Sequence, residues 1–479
     1  MRNQARHYSL LSLLASAIYV TGQNLSSSQV NTIKSQLSST DLQSWEIGTY
    51  SQALLELDTP SWSTLTPGVS FPSVAAGSSP SSLDEVFAYA KTVAQNWTVV
   101  NHVSSDNASS IVAPLLANSA VGDPPSIGFT LVLANLTGRA QADGVAYADA
   151  ATSQLEYLLE GAPKTPDGAI SHRPEQTQLW ADFVYMVPPF LAFYGTATGN
   201  ETVARMAWEQ VKLYRQYLKS NNTQTTDSGQ STVGLWQHMA LGSGADEGFW
   251  STGNAWAAGG IVRVLGTFAA SPMSSSLQTE QADLVQWAHE IQLALGTWVD
   301  SESNLLHNYA NDTTGFLDAA SSVLYAASVY RLATLLDAGL PASSAKSSDG
   351  TSVGKLVSSV HGSVPIAERI RSTVFTAQSS STGSGLAHFT SDLALTPVVN
   401  PLNWGAQLQL PATETKLAAN NGLAMSPEGQ AFVLEMQAAY RDWVGAGSPG
   451  QNAAFSMRFG GVSKTILAFV VGLGMWILV

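Results

Sequence analysis

Residues 170 to 195 run Ile-Ser-His-Arg-Pro-Glu-Gln-Thr-Gln-Leu-Trp-Ala-Asp-Phe-Val-Tyr-Met-Val-Pro-Pro-Phe-Leu-Ala-Phe-Tyr-Gly, the densest chemistry in the chain. Placed on a helix, Leu179, Asp182, Met186 and Phe190 share one face, because neighbours on a face lie three or four residues apart. That face is apolar except for Asp182. A carboxylate there, between Trp180 and Tyr185, is partly desolvated, which disfavours the charged form and suits a proton donor. The competing reading makes Asp182 a helix cap, since Asp favours N-caps and Pro188-Pro189 disturbs any helix running through. His172 and Arg173 precede it on a Pro-broken approach and offer positive charge to an anionic ligand. The arginine fork matches a carboxylate; a solvated loop pair is the plainer reading.

Other candidates stand further along. Asp246-Glu247 form a second acidic pair just before Trp250. Trp180, Trp250 and Trp256 can stack on sugar faces, although a single Trp is more often core. His238, in Leu-Trp-Gln-His, is a lone histidine, and such residues are more often structural. Asp123, in Gly-Asp-Pro-Pro-Ser-Ile-Gly, sits where turn aspartates are common. Cysteine is absent, which excludes disulfides, Cys-ligated zinc and thiol catalysis. Walker loops, HExxH and EF-hand patterns are also missing, so no metal or organic cofactor is implied.

The elements that must position these residues are helical. Leu83, Val86, Phe87, Ala90, Ala94 and Trp97 make one helical stripe, and Tyr147, Ala151, Leu155 and Leu158 make another. Val203, Met206, Gln210, Tyr214 and Leu218 follow, then Leu284, Trp287, Ile291, Leu295 and Trp298, then Val323, Ala327, Tyr330 and Leu335. A last helix starts at Ser426-Pro427-Glu428, with Pro just after a Ser cap. Period-two patterns are scarce, so the fold class is all-α. Residues 338–385, rich in Ser, Gly and Ala, read as a surface insertion.

The chain has 479 residues, 45% hydrophobic and 12% charged, enough for a large core. Its net charge of −14 argues against nucleic acid and requires a local basic pocket for any anionic ligand. Arg2 and Arg6 precede the apolar run Leu10–Val20, so residues 1–22 read as a secretory signal. Asn-x-Ser/Thr sequons at Asn24, Asn96, Asn107, Asn135, Asn200, Asn221 and Asn311 fit a secreted glycoprotein, with Asn135 expected to be buried beside an apolar run. Ile466–Val479 is almost wholly apolar but shorter than the ~20 residues of a comfortable span. With small residues at Gly445–Ser448 and Asn452–Ala454 and a spacer through Lys464, residues 446–479 read as a GPI-attachment signal, with a simple tail anchor as the other option. Contact with a membrane is expected only through that tail or anchor.

The run Trp180–Gly195 followed by Thr198-Gly199-Asn200 resembles the signature of the unsaturated glucuronyl and rhamnogalacturonyl hydrolases, glycoside hydrolase families 88 and 105 of the six-hairpin glycosidases. Trp250-Ser-Thr-Gly-Asn-Ala-Trp256 is a second point of likeness. Thr396-Pro-Val-Val-Asn-Pro-Leu-Asn-Trp404-Gly, with Ser426-Pro-Glu-Gly-Gln430, is a third. The likeness extends from Gly48 to Trp443. It implies an (α/α)6 toroid over residues 46–445, after an N-terminal segment at 23–45. It also implies an oligosaccharide substrate ending in a uronyl sugar with a C4=C5 double bond, from pectin and rhamnogalacturonan above all. Asp182 would protonate C4 and help water add at C5. His172, Arg173, Trp180, His238, Trp250, Asn254 and Trp256 would contact the substrate, with Asp123 as a second acid. Two other functions remain open at this stage. One is a conventional two-carboxylate glycosidase using Asp182 with Asp246 or Glu247. The other is a non-catalytic carbohydrate-binding surface protein.

Overall fold

A computed structural model describes residues 24–453 except 76–78, 102–110, 118–119, 223–229, 378–383, 411–414, 416–419 and 421. The signal, the sequon at Asn107 and most of the C-terminal tail lie outside the described residues.

Helices pair into hairpins, one member facing the axis and one facing outward. The inner ring runs α2 (Ser44–Asp58), α4 (Gly128–Leu136, entered through a 3₁₀ turn at Pro124–Ile127), α7 (Phe183–Thr198), α9 (Ser251–Ala270), α11 (Ala319–Asp337) and α13 (Pro427–Gly445). Each packs on the next, and α13 closes the ring against α2. Outside them lie α1 (Ser27–Ser38), α3 (Asp84–Val100), α6 (Tyr147–Glu156), α8 (Glu201–Leu218), α10 (Gln278–Gly296) and α12 (Val353–Val374), with short α5 (Arg139–Asp143) in a connection. This is the (α/α)6 toroid that the family likeness implies.

Burial follows position in the ring. Outer α8 keeps an apolar stripe inward (Val203, Ala207, Val211, Tyr214, Leu218) and Glu201 and Arg205 in an ion pair at its surface. Inner α9 has no free face, and every residue from Ser251 to Phe268 is buried. Small residues allow that. A Cβ on Gly260 would lie 2.2 Å from the carbonyl oxygen of Val184 on α7, so only glycine permits this approach. Helix α11 is the one described helix long and apolar enough to cross a membrane, and it is wholly buried in the ring.

Several local expectations change. Leu179 is not on the helix of Asp182. It pairs in a short ribbon, β1 (Leu179–Trp180) with β2 (Met239–Ala240), and α7 begins only at Phe183. Pro188 and Pro189 lie inside α7, which continues through them to Thr198 because it is packed on both sides in the ring. The 338–385 stretch is no mere insertion. Val353, Val360, Val364, Ala367, Ile370 and Val374 make a buried stripe on α12 against α10 and α11, and the Ser and Gly content gathers largely around it. The first inner helix starts at Ser44, so the toroid begins before residue 46. Asn135 is exposed, not buried.

Two further ribbons pair β3 (Leu306–His307) with β4 (Leu317–Asp318), and β5 (Val399–Asn400) with β6 (Asn403–Gln407). Away from the helix starts, a buried ion network ties the ring together. Arg263 of α9 reaches Glu56 of α2 (2.6 Å) and Glu435 of α13 (2.8 Å). Arg331 of α11 reaches Glu56 (2.7 Å) and Asp442 of α13. Tyr185 of α7 donates its hydroxyl to Glu435.

Candidate active site

Helices α2, α7, α9 and α13 begin at one end of the ring, around a pocket of about 310 Å³. The positive ends of their dipoles converge there, which favours an anionic group in a protein of net charge −14. Eight of the eleven residues singled out in the sequence line this pocket: Asp123, His172, Arg173, Trp180, Asp182, His238, Trp250 and Trp256.

Asp182 occupies the N-cap position of α7, but its side chain makes no capping hydrogen bond. Its Oδ1 is buried without a hydrogen-bond partner among the described residues. The cap reading is right about place and wrong about the bond. A buried polar atom left bare costs about 1–3 kcal/mol, and this one belongs to a residue lining the pocket at the positive end of a helix.

His172 is held by its backbone, donating to the carbonyl of Gln178 (2.8 Å) and accepting from the amide of Val121 (2.7 Å). Its ring stacks on Trp180 at 4.6 Å. Burial pushes the imidazole down to about 4, so it is neutral at neutral pH and does not supply the positive charge expected of it. Its Nε2 lies 3.8 Å from Asp123 Oδ1, too far for a hydrogen bond. Burial, then the negative charge of Asp182, pushes Asp123 up to about 8. Among the described residues, Arg173 is the one Lys or Arg lining the pocket, with its guanidinium 5.7 Å from the Trp180 ring and its Nε 3.1 Å from Glu175.

Asp123 gives a stability prediction. In the fold it keeps its proton to about pH 8, whereas its ordinary value is 3.8. Between those values the folded state holds a proton that the unfolded chain has lost, so this group lowers stability as pH rises. Asp123→Asn removes that slope. The variant should gain on wild type as pH rises through this window, by at most about 1.4 kcal/mol per pH unit. Thermal melts across the window check it; a constant difference contradicts it.

His238 is fully buried, and its Nδ1 lies 2.9 Å from Asp246 Oδ2. That carboxylate also accepts from the Tyr309 hydroxyl (2.5 Å) and the Gly248 amide (2.9 Å). The His238 hydrogen bond first, aided by these others, holds Asp246 down at about 2. The carboxylate at Nδ1 orients the ring, and Nε2 has no partner among the described residues. Asp246 is thus an orienting group for a histidine. It does not line the pocket, and neither does exposed Glu247.

Asn254, like Asp246 and Glu247, lies outside the pocket lining. Its Oδ1 accepts from the Trp236 amide, and its Nδ2 donates to the carbonyls of Trp236 (2.8 Å) and Trp250 (2.9 Å). It fastens the loop before β2 to the start of α9. Asn254→Ala should cost about 1–3 kcal/mol through the groups left unpaired, seen as a lower melting temperature with KM little changed.

Trp45, Trp404 and Glu428 also line the pocket and were not singled out as site residues. Trp404, on β6, lies edge-on to Trp180 (5.4 Å) and His238 (5.3 Å), and its carbonyl accepts from Asn308, which in turn accepts from Trp250 Nε1 (3.1 Å). Trp404 and Glu428 belong to the third motif, so that likeness was the available signal. Trp45 lay one residue outside the expected domain.

Carboxyls and tryptophans gathered at the inner-helix starts of an (α/α)6 toroid define a glycosidase of the helical-toroid class. The chain belongs to Glycosyl Hydrolase Family 88, whose model matches residues 68–329, and it is a glycoside hydrolase. Among solved structures it is similar to a possible member of the GH105 family from Salmonella enterica (15% identity, 86% of this chain and 92% of that one, TM-score 0.53). It is also similar to a family 88 glycosyl hydrolase from Bacteroides vulgatus (12%, 87% and 98%, TM-score 0.52). A GH76A alpha-1,6-mannanase from Salegentibacter is a third (12%, 87% and 99%, TM-score 0.50). At such identities the likeness is one of fold, and the chemistry rests on the pocket. No curated protein matches.

Proposed function

We propose that this hydrolase removes an unsaturated uronyl sugar from the non-reducing end of oligosaccharides that a lyase has cut from pectin, rhamnogalacturonan above all. The supporting observation is Asp182, which presents a buried, unpartnered oxygen at a helix start inside a tryptophan-walled pocket. In this mechanism Asp182, in its protonated form, gives a proton to C4 of the C4=C5 double bond. Water adds at C5 and returns a proton to Asp182. The hemiketal so formed opens and releases the aglycone. One carboxyl can serve both steps, whereas direct hydrolysis uses a pair at fixed separation. Neutral Asp123 stands beside it, and Arg173 at the pocket supplies positive charge for the uronate.

The test follows the absorbance of the double bond in an unsaturated rhamnogalacturonan disaccharide. Decay with purified protein is expected. Unchanged absorbance with folded protein, together with cleavage of saturated glycans, overturns the reading.

Secretion and attachment at the cell surface belong to the same proposal. They rest on the Arg2/Arg6-led apolar start, the sequons and the Ile466–Val479 tail. Release of the protein from cells by a phosphatidylinositol-specific lipase is the expected result; full retention points to a tail anchor.

A further inference from the structure

Glu428 is an acid in an awkward place. It sits in the first turn of α13, where Ser426 already caps the helix by accepting from the Gly429 amide. It is 3% exposed and lines the same pocket as Asp182. Its Oε2 accepts from Trp45 Nε1 at 3.1 Å. Its Oε1 is buried and has no partner among the described residues. The titratable groups facing it are acids: Glu46 from α2, Asp318 from the start of α11 and Asp182 from the start of α7. No Lys or Arg pairs with it among the described residues.

A purely structural acid would look different, and Asp318 shows how. Asp318 is also fully buried, yet its oxygens accept from the amides of Ala320, Ser321 and Val399 and from the Thr252 hydroxyl. Every lone pair it needs to satisfy inside the ring is engaged. Glu428, which lines the pocket, has one such contact and one bare oxygen. Burial, followed by the negative charge of Glu46, pushes its carboxyl well above the usual range, which favours the protonated form. A neutral carboxyl is a hydrogen-bond donor, and with Oε2 engaged by Trp45 the donor falls to Oε1. Cationic donors are few: among the described residues, Arg173 is the one Lys or Arg lining the pocket.

We propose that Glu428 is a substrate-binding residue that donates a hydrogen bond from Oε1 to the carboxylate of the bound sugar. The proposal rests on the uronide reading above. It adds that the acid group is recognised partly by a neutral carboxyl rather than by cations alone. A hydrogen bond from a neutral acid to a carboxylate is charge-assisted and short, and it ranks with the stronger pairs available to a pocket.

The test measures binding in Asp182→Asn protein, which leaves the ligand uncut. Quenching of tryptophan fluorescence by an unsaturated uronide and by its methyl ester is titrated with and without a second change at Glu428. Glu428→Leu should weaken the acid ligand roughly 10- to 100-fold and leave the ester nearly unchanged. Glu428→Gln, which keeps an N–H donor, should stay close to the parent for both ligands. Should Glu428→Leu unfold, Glu428→Met, of similar length, carries the same expectation. Equal weakening of acid and ester, or no weakening of either, overturns the proposal and leaves Glu428 a packing residue. If the parent binds neither ligand, the uronide reading falls and this proposal with it.

Discussion

Asp182→Asn should keep the protein folded and lower kcat/KM by roughly 10²- to 10⁴-fold, the usual contribution of general acid–base catalysis. The substitution is close to isosteric and breaks no capping bond, because the Asp182 side chain makes none. Stability therefore should not suffer. It should improve slightly as pH rises toward 8, since the charge that helps push Asp123 up to about 8 is gone. Substrate binding should survive, because Trp180, Trp250, Trp256 and Arg173 still line the pocket. The measurement is double-bond absorbance decay beside a thermal melt. Activity within tenfold of wild type would remove Asp182 from the chemistry; a large loss of melting temperature would make it structural.

Arg263→Met should be the most destabilising of the substitutions considered, by about 3–5 kcal/mol. Arg263 is 6% exposed and bridges Glu56 and Glu435, and its guanidinium lies 4.8 Å from the Tyr185 ring. Methionine replaces its length but not its charge. Two buried carboxylates then lose their shared cation, although Arg331 still reaches Glu56. Removing one partner of a buried pair leaves the desolvation cost of the other in place, which is why the effect exceeds that of a surface pair such as Arg205–Glu201. A guanidinium titration should show the midpoint fall with its slope unchanged. An unmoved midpoint would mean the network contributes specificity and not stability.

Fold class was legible because outer helices obey the 3.6 period: the stripes on α3, α8 and α10 are buried much as their spacing indicates. Inner helices were harder. Helix α9 is apolar and small all round, so no stripe marks a face, and ring order comes from packing that a linear pattern does not carry. The stretch holding α12 misled because its Ser and Gly content masks a stripe of well-spaced Val and Ile. In the site, clustered residues were the easy ones, as Trp180 and Asp182 nearly adjoin. Trp45 and Glu428 lie 383 positions apart yet share a hydrogen bond, and nothing local announces that. His238 and Asp246 are near in sequence, but their pairing depends on the bridge of Met239 to Asp246 that turns the chain back. Burial then decides charge, which is how His172 came to be neutral where sequence suggested a cation.

The closing of α13 on α2 has a consequence for biosynthesis. Trp45 leaves the ribosome early and Glu428 late, and the pocket needs both. A nascent chain that has emerged only as far as α12 has most of its helices but no finished cavity, and the apolar flanks of α2 and α11 are still uncovered. Contacts this distant in sequence slow folding. Such a chain is a client for chaperones until its last helix arrives, and catalytic competence appears only once it does.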